Sequence, residues 1–283
     1  MPRPVPLRLL DALLFSSGWL ALAAAAQALA TLALWAPLGG AGYRMAALVL
    51  AATLLVYNLD AVLSFKQLPP AAGSVRKEWQ QRHRRGLAAL AGLAAASGAG
   101  LVCYDGWLRY AAGLGPLAGL ALLYSWPVWR WRGRWWALRE VPLLKGFLIA
   151  GVWAAVTVGL PVLLRRPPAL LPVGQLLGQR FCLVAALTVV FDIRDLGRDR
   201  AAHLRTLPGW LGLAGAKAVA LALLAGAGAF GLWRGAAPGG LALTVGLAAA
   251  VVLAAREQRP EYFFALLADG VLLVPAVLYL VFR

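Results

Sequence analysis

Asp192, Asp195 and Asp199 stand at i, i+3 and i+7 in the run FDIRDLGRDRAAHLRTLP, directly after the apolar stretch FCLVAALTVV. On a helix this spacing puts all three carboxylates on one face. Carboxylates so close repel one another unless a cation or basic side chains neutralise them. Oxygen ligands of this kind suit Mg2+, which takes one or two carboxylates together with substrate phosphates. The alternative is a solvated loop whose acids pair with Arg194, Arg198, Arg200 and Arg205. Spacing by itself leaves both open.

The elements that would position these acids are apolar. The chain of 283 residues is 62% hydrophobic, carries only 13% charged residues and has a mean hydropathy of +0.76. Soluble domains are about a quarter charged. Nine segments approach the length of about 20 residues that a helix needs to cross the hydrocarbon. They are 9–35, 44–65, 86–103, 107–129, 141–164, 172–191, 211–233, 238–255 and 261–282. The expected fold class is an all-α polytopic membrane protein in which nine transmembrane helices surround a central cavity. Residues 1–283 are read as one transmembrane domain with cap loops near 66–86, 130–141 and 192–210. No cleavable signal peptide is expected, because the first apolar segment is too long and lacks a cleavage site.

Charge sets the orientation. With the N-terminus in the cytoplasm, 20 of the 27 Lys and Arg residues fall on the inner side and 7 on the outer side or in the outer half of a span. The positive-inside rule then places the aspartate run on the cytoplasmic face. The net charge of +16 is read as basic loops facing anionic lipid rather than as a nucleic-acid surface. The Trp- and Arg-rich segment SWPVWRWRGRWWALRE is expected to be an interfacial belt or a short amphipathic helix. Cys103 and Cys182 form no motif.

The run FDIRDLGRDRAAHLRTLPGWLG resembles the second aspartate-rich motif of the UbiA superfamily of intramembrane prenyltransferases. The nine-span, N-in architecture resembles that family as well. So does YSWPVWRWRGRWWALREVPLLKGFLIAGVWA, with Tyr124 and Lys145 at positions that match. His203 is a departure, standing where the family usually has Gly. The resemblance implies a cavity in which two aspartate-rich motifs hold Mg2+, and the metals bind the diphosphate of a polyprenyl donor. Ionisation of the donor C–O bond then lets a hydrophobic acceptor capture the allylic fragment. Asp192 and Asp195 would be catalytic metal ligands with Asp199 in support. Tyr57, Asn58, Tyr124, Lys145, Arg194 and Arg198 would bind substrate. A multi-pass place in a bacterial inner membrane follows from the same likeness.

The first motif departs from the family pattern NDxxDxxxD. The sequence reads VYNLDAVLSFKQLPP, so Asn58 matches but Leu59, Val62 and Lys66 stand where acids are expected. Asp60 is acidic and out of register, about 200° around a regular helix from Asn58. Tyr57, Asp60, Ser64 and Gln67 form a polar stripe that would face a cavity. Asp60 is therefore a candidate catalytic residue, and Lys66 a candidate replacement for a divalent ion beside the diphosphate. Metal binding is expected to be asymmetric, stronger at the second motif. Arg76, Lys77, Arg82, Arg84 and Arg85 either bind diphosphate or enforce topology.

Asp269 lies about 12 Å of helix rise inside the last span. An acid at that depth is a candidate acceptor-binding or proton-accepting group, or else a structural hydrogen-bonding one. Arg180 is expected to snorkel from the outer half of its span. Three rival readings stand beside the transferase. One is a UbiA-like protein without catalysis that binds an isoprenoid or quinone, or scaffolds partners. The second is a CDP-alcohol phosphotransferase, whose signature does not continue correctly from either Asp-Gly pair. The third is a transporter, against which no internal repeat is found.

Overall fold

Long runs of Ala, Leu, Val and Gly can satisfy their backbone groups in hydrocarbon only by forming helices. The computed structural model describes residues 4–35, 37–63, 74–110, 115–116, 118–120, 127–131, 134–137, 141, 144–165, 169–201 and 204–281. Its helices are α1 (Val5–Phe15), α2 (Gly18–Ala33), α3 (Gly40–Val62), α4 (Val75–Arg82) and α5 (Arg84–Tyr104). There follow α6 (Leu144–Ala154), α7 (Leu160–Arg165), α8 (Leu170–Ala201), α9 (Leu207–Trp233), α10 (Pro238–Ala254), α11 (Asp269–Val271) and α12 (Val274–Val281). A π-helical turn, Ala155–Gly159, joins α6 to α7, and a second, Phe263–Ala268, leads into α11.

Five of these runs are long and apolar enough to cross a membrane: α3, α5, α6 with α7, α8 and α9. Two bent pairs reach the length together. They are α1 with α2, bent by 59°, and Phe263–Val271 with α12, bent by 45°. Helix α10 is apolar but has only 17 residues. Eight of the nine expected segments thus coincide with described helices. The other, 107–129, is only about half described, as a 3-10 turn at Trp107–Tyr110, short helical pieces at 115–116 and 118–120 and the start of a strand at Pro127. Tyr124, Lys66 and His203 lie outside the described residues.

Two expectations are corrected. The Trp- and Arg-rich segment is an antiparallel hairpin, β1 (Pro127–Trp131) with β2 (Arg134–Ala137), not an amphipathic helix. Trp129, Arg130, Trp131 and Arg132 alternate with period two, a pattern that favours a strand over a helix. The first span is not one helix either. It breaks at Ser16–Ser17, where Ser17 takes a left-handed φ of 61°.

Polar side chains from distant helices take up the carbonyls freed by these breaks, as hydrocarbon requires. Asn58 Nδ2 donates to Ser16 O at 2.9 Å. Gln27 Nε2 donates to Leu272 O at 2.7 Å, at the junction of α11 and α12. Trp19 Nε1 donates to Leu266 O at 3.3 Å within the second π-helical turn.

Helix α8 is the axis of the bundle. Its buried face, from Leu183 through Val190 to Ile193, packs in one core with Ala150 and Trp153 of α6, Ala216 to Ala227 of α9, Ala248 and Val252 of α10, and Phe264 and Val271 of the last span. At about 1.5 Å per residue its 32 residues exceed the hydrocarbon thickness by more than 10 Å. The helix therefore extends past the hydrocarbon, and its charged end, with Asp192, Asp195 and Asp199, is the emergent one by composition.

Candidate active site

The emergent end of α8 is met by the start of α6. A Cβ placed on Gly146 would stand 2.7 Å from Thr188 Oγ1. Only glycine allows this approach, and it brings the neighbouring Lys145 to the acids. Lys145 Nζ lies 2.9 Å from Asp192 Oδ1. The Asp192 residue is 7% exposed. The ammonium is within electrostatic reach of all three aspartates.

Asp195 is held by two guanidiniums. Arg194 Nε donates to its Oδ1 at 2.8 Å and Nη2 to its Oδ2 at 3.3 Å, while Arg198 Nη2 donates to Oδ1. Arg194 also reaches Glu261 at 3.7 Å and stacks its charge over the rings of Phe191 and Phe264 at 5.0 and 5.6 Å. Asp199 is half-buried, and its Oδ2 is enclosed without a hydrogen-bond partner.

Above this end sits α4, capped by the side chain of Ser74, which accepts from Lys77 N. Ser74 Oγ donates to Glu261 Oε1 at 2.8 Å, and Gln80 Nε2 to Phe15 O at 2.9 Å. Arg76 reaches down from α4 and donates to Ser17 Oγ at 3.0 Å, at the break between α1 and α2. Burial, with the Arg194 charge nearby, pulls the Arg76 guanidinium below its ordinary pKa. Deeper in the bundle Asp269, 7% exposed, is within electrostatic reach of both Arg76 and Arg194. Half-buried Tyr57 accepts from Trp153 Nε1 at 3.5 Å.

The expected residues are therefore sorted by position. Lys145, Asp192, Arg194, Asp195, Arg198 and Asp199 gather at the emergent end of α8, with Tyr57 and Asp269 deeper beneath it. Asp60 is half-buried on α3. Asn58 does not point to a ligand: it is 1% exposed, and both amide hydrogens go to backbone carbonyls, Ser16 O and Leu54 O. Glu261 enters the site without any motif to announce it, and Arg76 is singled out from the five loop cations that the sequence leaves between diphosphate binding and topology. A charge in a basic loop shows its burial only once the loop is folded back.

The three aspartates are expected to hold Mg2+. Among the described residues, no group of three His, Cys, Asp or Glu side chains is arranged to hold a metal ion alone. Lys145, Arg194 and Arg198 supply the neutralising charge instead. The arrangement fits a smaller role for the protein in metal binding, namely one or two carboxylates completed by substrate phosphate oxygens. The unpartnered Oδ2 of Asp199 is an oxygen of that kind. At the α3 end, Leu59 and Val62 offer no oxygen for a second ion.

The bundle and its charged end define an integral membrane protein with an ion-rich site at one mouth of a helical core. No family model and no curated protein matches the sequence. Among solved structures, the chain is similar to the apo structure of a UbiA homolog from Aeropyrum pernix K1. The TM-score is 0.64 and the identity 21%, covering 93% of this chain and 97% of that one. The fold is UbiA-like.

Proposed function

We propose that the protein is an intramembrane prenyltransferase that moves a prenyl group from a polyprenyl diphosphate to an aromatic or lipid acceptor, using Mg2+. The observation that carries this reading is the interleaving of Asp192, Asp195 and Asp199 with Lys145, Arg194 and Arg198 at the open end of a UbiA-like bundle. Cations in that number suit a diphosphate, which carries several negative charges, and the apolar interior below suits a prenyl tail.

Lys145, Arg194, Arg198 and Arg76 orient the diphosphate in this account. Asp192 and Asp199, with Asp195, are the residues that would hold one Mg2+ against it. When bound, Mg2+ supplies positive charge to the leaving diphosphate. The donor C–O bond breaks with its electron pair leaving on the diphosphate oxygen, and Lys145 and the arginines stabilise the charge that gathers there. Acceptor electrons form the new bond to the allylic carbon, and the proton released passes to Asp269 or to water. Tyr57 and Asp60 line the acceptor side. The charge asymmetry supports a site on the cytoplasmic side, and the membrane in this proposal is a bacterial inner membrane. Membrane lipid is the remaining partner, and no nucleic acid is involved.

Binding of a non-hydrolysable polyprenyl thiodiphosphate tests the reading. Affinity should require Mg2+ and should fall at least tenfold in Asp192→Asn/Asp195→Asn. Equal affinity in the folded double variant contradicts it. A second reading, a non-catalytic binder of an isoprenoid or quinone, is favoured by the loss of acids at Leu59 and Val62 and by the double pairing of Asp195. It predicts binding without diphosphate release.

A further inference from the structure

Further along α8, in its N-terminal half, lies a polar site that prenyl transfer does not use. Arg180 lies twelve residues before Asp192, about 18 Å along the helix. It is 7% exposed, so it is enclosed rather than extended to the surface as its sequence position suggests. Its Nη1 is buried without a hydrogen-bond partner. Arg234, at the C-terminal end of α9, is within electrostatic reach of it. Arg234 Nη2 donates to Gln179 Oε1 at 3.5 Å, and its own Nε is buried and unpartnered. Glycines press the two helices together here. A Cβ on Gly231 would stand 2.9 Å from Gln179 Nε2, and one on Gly178 would stand 2.8 Å from the Phe230 ring.

An enclosed guanidinium with an unpartnered Nη1, in the field of a second guanidinium, destabilises the bundle unless an anion neutralises it. Among the described acidic side chains, Asp105 alone lies at this end, and it is bound to Arg44 at 2.7 Å. All others lie toward the Asp192 end. No described acidic side chain supplies the counter-ion. Arg234 is half-buried and so leads in from the surface. Beside it, Leu232 and Trp233 are 61% and 65% exposed. An exposed Trp next to a cation is a pattern of the membrane interface, where lipid phosphates lie.

We propose that Arg180 and Arg234 form a phosphate-binding site where α9 ends, remote from the aspartates, filled by the headgroup of an anionic phospholipid or by a free phosphate. The site is independent of prenyl transfer and stands whether or not that reading does.

Native mass spectrometry of the full chain in neutral detergent tests it, with phosphatidylglycerol, phosphatidylcholine and inorganic phosphate as probes. Wild type should retain one phosphatidylglycerol more than phosphatidylcholine. Arg180→Gln and Arg234→Gln should each weaken that retention at least tenfold, while lipids on the basic loops remain and Asp192→Asn/Asp195→Asn has no effect. Arg234 is half-buried, so its variant carries the test should Arg180→Gln fail to fold. Displacement of the lipid by millimolar phosphate, lost in the same variants, supports the site and assigns it to a free anion. Equal retention of both lipids by wild type together with no phosphate binding, or unchanged anion binding in folded Arg234→Gln, overturns the proposal.

Discussion

Lys145 Nζ lies 2.9 Å from Asp192 Oδ1 and ties the start of α6 to the emergent end of α8. Removing one partner strands the other charge in a mostly enclosed site. Lys145→Met or Asp192→Asn should each lower stability by up to about 3 kcal/mol, the lower bound for a fully buried pair, because the Lys145 side chain is 28% exposed. The double variant should be milder than the sum of the two. Thermal unfolding of the three proteins in one detergent checks this, and strict additivity would show that the pair is not coupled.

Gly146 sets that distance. Gly146→Ala places a methyl 2.7 Å from Thr188 Oγ1 and must push α6 off α8. Overpacking of this kind costs about 1–3 kcal/mol. Diphosphate affinity should fall as well, because Lys145 moves with α6. Adding Thr188→Ala removes the clashing oxygen and should restore part of both losses. Thermal midpoints and ligand titration on the single and double variants give the answer.

Asn58 is a structural residue in this account. Asn58→Ala leaves Ser16 O without its donor at the break between α1 and α2. The cost should be about 1–3 kcal/mol for an unsatisfied buried group. Affinity of the folded protein for a polyprenyl thiodiphosphate should change less than twofold. A large loss of affinity at unchanged stability would return Asn58 to the ligand.

The proposed function predicts one well-held divalent ion per chain when diphosphate is bound. Mn2+ in place of Mg2+, counted by electron paramagnetic resonance with the thiodiphosphate present, should give a stoichiometry of one. Asp199→Asn should weaken the ion, since Asp199 contributes the enclosed and unpartnered oxygen. Two ions of equal affinity would contradict the asymmetry read from Leu59 and Val62.

Much of the frame is legible in the sequence because a bilayer imposes long apolar runs, and eight of the nine runs coincide with helices. The face shared by Asp192, Asp195 and Asp199 is equally legible, since spacing within one helix fixes it. Contacts between distant segments are not. Lys145 meets Asp192 across 47 positions and Gln27 meets Leu272 across 245. The break after Ser16 depends on Asn58, which a motif comparison assigns to the ligand. Burial of Arg76 and Arg180 depends on what packs over them, and a charge count treats both as surface residues. The hairpin at Pro127–Ala137 shows the converse. The alternation at Trp129–Arg132 is a local strand signal, while the Trp and Arg composition suits an interfacial belt or an amphipathic helix equally well.

The most direct measurement is release of diphosphate by purified protein in nanodiscs, given polyprenyl diphosphates of several chain lengths, Mg2+ and a panel of aromatic and lipid acceptors. The account predicts Mg2+-dependent release with at least one donor, abolished in Asp192→Asn/Asp195→Asn and reduced strongly in Lys145→Met. Tight binding of a donor with no release by wild type, across every chain length and acceptor, would contradict catalysis and leave the chain a binder of isoprenoids.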